Sequence, residues 1–128
     1  MPAFDITPRL PAGRQLIQGY GNGGFTVSGQ RHSGSLLILP RTVVGWAVSR
    51  PEDIDRARLI DVIREHPPVQ ILIVGCGERA PPPPRDLVSA LRGQAIALEW
   101  MATGAACRTY NVLLLEDRPV AAALIAID

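Results

Sequence analysis

Two short stretches of this chain gather the side chains that could do chemistry. Thr103 to Asn111, TGAACRTYN, brings Thr, Cys, Arg, Tyr and Asn together, and Gly75-Cys76-Gly77 sets a thiol between two glycines. Each stretch begins where an expected strand ends. In open α/β sheets, ligands collect in the crevice beyond the carboxyl ends of the strands. Gly75, Cys76, Gly77, Thr103 and Gly104 are therefore expected to border one crevice. A helix capped by Thr103 would offer it free N–H groups and a partial positive charge, which favour an anion or a thiolate. The plainer account is that small residues here let strands and helices pack closely.

A nucleophilic Cys76 needs a base, and the two histidines, His32 and His66, are the candidates. His66 precedes two prolines at an expected helix end and reads as solvated. His32 sits beside Gln30 and Arg31 in an expected turn, and no spacing rule ties it to Cys76. Arg31 and His32 complete the candidate set. Cys107, four residues into the helix, reads as a small buried hydrophobe. Arg108 lies in a segment otherwise destined for burial, where an unpaired charge is costly. It is expected beneath the crevice, holding the two loops through backbone carbonyls or a carboxylate, with Glu99 as one partner. No His, Cys, Asp and Glu cluster has metal-ligand spacing, and no cofactor is expected. Gly19, Gly21 and Gly24 spell G-x-G-x-x-G. A dinucleotide site needs that motif to open a helix, whereas FTVSGQRHSGSLLIL follows here and reads as strands. A glycine-rich turn is the better account.

The elements that must position these residues follow from periodicity. Residues 1–13 carry Pro2, Pro8, Pro11 and Gly13 and read as an arm; residues 14–128 read as one α/β domain. Gln15 to Gln18 can form an edge strand. Phe25 to Val27 and Ser35 to Leu39 read as two strands of a hairpin joined through SGQRHSG. Thr42 to Val48 can add another. Ser49 and Glu52 have capping-box spacing, which predicts a helix over DIDRARLIDVIREH with Leu59, Ile60 and Ile63 inward. Val69 to Val74 is an apolar strand of the kind buried on both faces. Pro81 to Pro84 should run as a stiff extended segment, before a short helix with Leu87, Val88 and Leu91 that ends near Gly93. Ala95 to Trp100 alternates as a strand. A helix from Thr103 turns Ala106, Tyr110, Leu113 and Leu114 inward, and a final strand follows Pro119. Strand, helix, strand, helix, strand is the pattern of right-handed crossovers in a parallel or mixed sheet.

Composition bounds the partners. The 128 residues carry 13 Lys plus Arg against 12 Asp plus Glu, a balance without the basic excess of a nucleic-acid footprint. Aromatics are 5%, so the core must be aliphatic. Val120 to Ile127, the longest apolar run, is too short to span a bilayer, so direct membrane insertion is not expected. The start, MPAFDITPRLPAG, lacks the apolar region of a signal peptide. A soluble cytoplasmic protein with both thiols free is expected.

Three long strings, YGNGGFTVSGQRHSGSLLILP, ILIVGCGER and GAACRTYNVLLLEDRPVAAALIA, closely resemble one family of small α/β domains. That family includes a mitochondrial assembly factor for respiratory complex I and many uncharacterised bacterial proteins. The resemblance implies a three-layer fold with a mixed central sheet in which one strand opposes the others, besides an N-terminal antiparallel portion. It also implies a link to respiratory-complex assembly, without established catalysis. Relatives usually carry Thr where this chain has Cys76, and Met-Asp-Thr where it has Met101-Ala102-Thr103. The Asp is missing, so an acid/base role for that loop is not expected. The reading is a non-catalytic binding or assembly factor with a protein partner, able also to self-associate. The alternative is a small-molecule or anion binder, or an enzyme, using the crevice between 75–77 and 102–104.

Overall fold

The computed structural model describes residues 14–128; the expected arm, 1–13, lies outside the described residues. Alternation along two strands decides the architecture. Leu72, Val74 and Cys76 face one side of a sheet with Ala121, Ala123 and Ile125, while Ile73 faces the other with Val120, Ala122 and Leu124. Strands that are apolar at every position must be covered on both faces, which places them in the sheet interior. They are β6 (Ile71–Gly75) and β8 (Val120–Leu124). β6 pairs in parallel with β8 and with β7 (Ala97–Met101), and β4 (Leu36–Ile38) pairs antiparallel with both β8 and β5 (Val43–Gly45). The order is β5-β4-β8-β6-β7, and β4 is the one strand that opposes the rest, as expected.

One face of this sheet is covered by α1 (Ile60–Ile63) and α2 (Arg85–Arg92), whose Val62, Leu87 and Leu91 share a core with Leu72 and Val74. The other face carries α3 (Thr103–Leu115), which buries Thr103, Ala106, Cys107, Tyr110 and Leu114 at helical spacing. Ala121, Ala122 and Ala123 keep the middle of β8 thin, so the layers on both faces can approach closely. An antiparallel sheet of β1 (Ile17–Gly21), β2 (Gly24–Val27) and β3 (Gln30–Ser33) packs against α3 through Ile17, Phe25 and Val27. The three-layer α/β domain with its N-terminal antiparallel portion is thus the observed fold.

Two local expectations are corrected. SGQRHSG is no simple hairpin connection: Gln30 to Ser33 pairs with β2 as a strand, and Leu36 to Ile38 belongs to the other sheet. The helix expected from Ser49 is broken. Arg50, not Ser49, precedes the first 3-10 turn, with no side-chain cap, and Ile54 is extended and buried. Asp55 then accepts from the Arg58 N–H at 2.9 Å before a second 3-10 turn, and α1 amounts to one turn. The buried set is Ile54, Leu59 and Val62, so packing those three overrides helix propensity, which is a weak prior. The short helix α2 does end at Gly93, as expected; Gly93 itself stays right-handed (φ −63°), and the left-handed residue that follows is Ala95 (φ +60°).

Candidate functional site

The end of β6 meets the first turn of α3, and the two expected loops do come together there. They touch, with Thr103 between them. Ala102 occupies the cap position and Thr103 is the first helical residue, so the expected side-chain cap is absent. Its hydroxyl instead accepts from the Gly77 N–H at 2.9 Å and donates to the Ile125 carbonyl at 2.7 Å. The Thr103 N–H donates to the Gly77 carbonyl, Cys76 N–H to Met101, and Ile125 N–H to Gly75, all within 2.9 Å. Thr103 is fully buried. A Cβ at Gly75 would stand 2.9 Å from the Thr103 Cα, so glycine there is the condition for this approach. A depression of about 290 Å³ borders Gly77 from another direction, lined by Ser49, Cys76, Gly77, Glu78 and Ile125–Asp128, with none of 102–104 in its wall.

Both thiols are buried and free. Burial pushes Cys76 up to about 12 despite the backbone hydrogen bond with Met101, and pushes Cys107 up to about 12 despite the pull of the Arg108 charge. His32 lies on β3 opposite Phe25, and His66 is exposed; neither hydrogen-bonds a thiol. A thiolate is the nucleophile, and neither cysteine supplies one near neutral pH. The shifts have a stability consequence. Between about 9, where an unfolded thiol ionises, and about 12, the folded state holds protons that the unfolded state has released. Stability is therefore full below pH 9 and falls as pH rises through that window. Burial also raises the Tyr110 hydroxyl, which acts in the same direction. Urea unfolding at stepped pH should show this decline, with both thiols unreactive to a disulfide reagent at pH 8 until the chain unfolds. Rapid native labelling would contradict it.

Arg108 needs correction. It is exposed on the outer face of α3, not beneath the loops, and its guanidinium donates to the Tyr20 hydroxyl at 3.2 Å. Glu99 is also exposed, and no ion pair joins the two. The Tyr20 hydroxyl lies over Gly104, 2.7 Å from where a Cβ would stand. Arg31 closes the β1–β2 turn, its guanidinium donating to the Gly21 and Asn22 carbonyls at 2.7 and 3.0 Å. That turn holds Gly21 and Gly23 at positive φ, which accounts for the glycine-rich string. The eight candidates thus fall into a buried junction (Gly75, Cys76, Gly77, Thr103), a surface group (Gly104, Arg108), and the small sheet (Arg31, His32).

The bonds that three residues make have no counterpart in the sequence expectations. Tyr20 is one. Asn111 is another: its amide accepts from the Ile17 N–H at 3.0 Å and donates to the Ile17 carbonyl at 2.7 Å, clamping β1 to α3 as a strand would. An Asn inside a helix, where it is a weak former, is the signal that could have pointed to it. The Tyr110 hydroxyl, read only as an inward residue, donates to the Gln15 carbonyl at 2.7 Å. Among the described residues the exposed large hydrophobics are Tyr20 (42%), Val112 (55%) and Leu115 (45%). Arg108, Val112 and Leu115 follow i, i+4, i+7 spacing and form one stripe, with Tyr20 bonded at its upper end. No group of three metal-ligating side chains gathers among the described residues, and no described helix is long and apolar enough to cross a membrane.

Residues 17–125 match the family described as protein of unknown function, DUF498/DUF598. The rat NADH dehydrogenase [ubiquinone] 1 alpha subcomplex assembly factor 3 is 36% identical over 109 residues, which is 85% of this chain and 59% of that protein. The chain therefore spans under two thirds of that curated relative. An NMR structure of a Rhodopseudomonas palustris protein is 46% identical, with TM-score 0.78 over 99% of this chain and 93% of that one. A Bartonella henselae crystal structure, described as an outer membrane protein, is 37% identical with TM-score 0.84 over 91% and 98% of the two chains.

Proposed function

The chain belongs to the DUF498/DUF598 family, and from that premise we propose that it is a non-catalytic, partner-binding factor in the assembly of a respiratory NADH dehydrogenase. The observation that carries the reading is the distribution of exposed apolar surface. Tyr20, Val112 and Leu115, the exposed large hydrophobics among the described residues, all lie on or against α3 beside Arg108. Clustered apolar surface with an adjacent Arg and Tyr is the composition of a protein-binding hot spot. The chemistry-bearing residues support the same side: the thiols are buried and protonated, and Thr103 is spent on tying loops. The name of the related rat assembly factor supplies the partner class. A small-molecule or anion site between 75–77 and 102–104 has less support, because Thr103 fills that space. Deletion of the chain from its native cell should deplete assembled NADH dehydrogenase on native gels, and wild-type amounts of the complex would sink the proposal.

A further inference from the structure

We propose that Pro81–Pro84 is a second docking surface, a preformed polyproline II ridge for a partner protein with an aromatic-lined groove and an acidic rim. The inference does not depend on the assembly reading. Its segment packs through Trp100 on the α1 and α2 side of the central sheet, across that sheet from α3.

Stereochemistry sets the conformation. Each proline fixes φ near −65°, and each residue before a proline is pushed to an extended ψ. Pro81, Pro82 and Pro83 are therefore held in polyproline II, and Pro84 has φ −64° and ψ 129°. That helix repeats every ~3 residues, so Pro81 and Pro84 share one edge. Both of their carbonyls are engaged: Pro81 accepts from the Trp100 indole N–H at 2.6 Å, and Pro84 from the Val88 N–H at 3.1 Å. Pro81 is thereby tied to β7, and Pro84 to the first turn of α2. All four prolines are exposed, and the Pro82 and Pro83 carbonyls accept from no other described residue.

Grooves that read polyproline II take a stiff ridge already in the bound conformation with prolines at i and i+3, which Pro81 and Pro84 supply, and free carbonyls for an indole or phenol donor. Arg79 and Arg85 flank the ridge, both exposed and neither in an ion pair with another described residue. They complement carboxylates at a groove's rim. A simple crossover from β6 to α2 needs no run of four prolines.

The test is an NMR titration of the ¹⁵N-labelled chain with a purified SH3 domain whose specificity loop is acidic, used up to millimolar concentration. Expected are shifts confined to Arg79, Ala80, Arg85, Asp86 and the Trp100 indole, weakened by added salt. The quadruple variant Pro81→Ser, Pro82→Ser, Pro83→Ser, Pro84→Ser removes the ridge but keeps the backbone carbonyls that Trp100 and Val88 engage, so the rest of its spectrum should be unchanged while apparent affinity falls about tenfold or more, equivalent to ~1.4 kcal/mol. Absence of shifts in 79–86, shifts scattered over the surface, or binding retained by the quadruple variant would each overturn the proposal.

Discussion

Thr103→Val is expected to lower the unfolding free energy by about 4 kcal/mol, while Thr103→Ser costs only about 1 kcal/mol. Valine has nearly the shape of threonine, so packing is kept and the hydroxyl alone is removed. The Gly77 N–H loses its acceptor and the Ile125 carbonyl its donor, at a junction where Thr103 and Gly77 are both buried. Each buried backbone group left unpaired costs about 1–3 kcal/mol. Serine keeps both bonds and loses one methyl, worth about 0.8 kcal/mol. Urea unfolding of the three proteins decides the matter. Valine and serine variants of equal stability would mean that the hydroxyl does not join the loops.

Gly75→Ala is the second large effect, about 3 kcal/mol, at the upper end of what overpacking a dense core costs. The added Cβ would meet the Thr103 Cα at 2.9 Å, with the Leu124 Cδ2 and Thr103 Oγ1 at 3.0 Å. The first of these is backbone at the start of a buried helix, which cannot swing aside as a side-chain tip could. β6 pairs on both sides, with β7 and β8, so it cannot retreat either. The double variant with Thr103→Val should lose less than the sum of the two, since Gly75→Ala already parts the contact that Thr103 secures. Wild-type stability in the single variant, by thermal or urea unfolding, would show that a gap does separate the loops.

Both effects fall where the sequence was read least well, and the reasons are physical. Apolar periodicity is a property of the chain, so the sheet-interior strands β6 and β8 and the inward stripe of α3 were legible. That one strand opposes the others came through resemblance, and the pairing shows it to be β4. Sequence adjacency could also bring 75–77 and 102–104 to one end of the sheet. What it could not say was whether the space between them stays open. That depends on a single side chain reaching two backbones, Gly77 and Ile125, from elsewhere in the chain. The role of holding the loops was anticipated, but given to Arg108 on the argument that a buried cation needs acceptors. The smaller Thr103 performs it, and Arg108 falls on the outer face of α3. The lost helix after Ser49 has the same origin, since the burial of Ile54 is a tertiary demand with no local signature. Asn111 left only a faint trace, as a weak helix former in mid-helix.

The stripe on α3 carries the functional account, and one complementation experiment bears on it most directly. Cells lacking the chain would be supplied with wild-type protein or with the double variant Val112→Asp, Leu115→Asp, and assembled NADH dehydrogenase measured on native gels. Both positions are exposed, so each substitution should change stability by no more than about 0.5 kcal/mol. Equal melting and equal cellular amounts of the two proteins would confirm that. Wild-type protein should restore the complex, and the folded variant should not, because two carboxylates placed in an apolar contact must be desolvated without partners. Full restoration by the variant would contradict docking through this face.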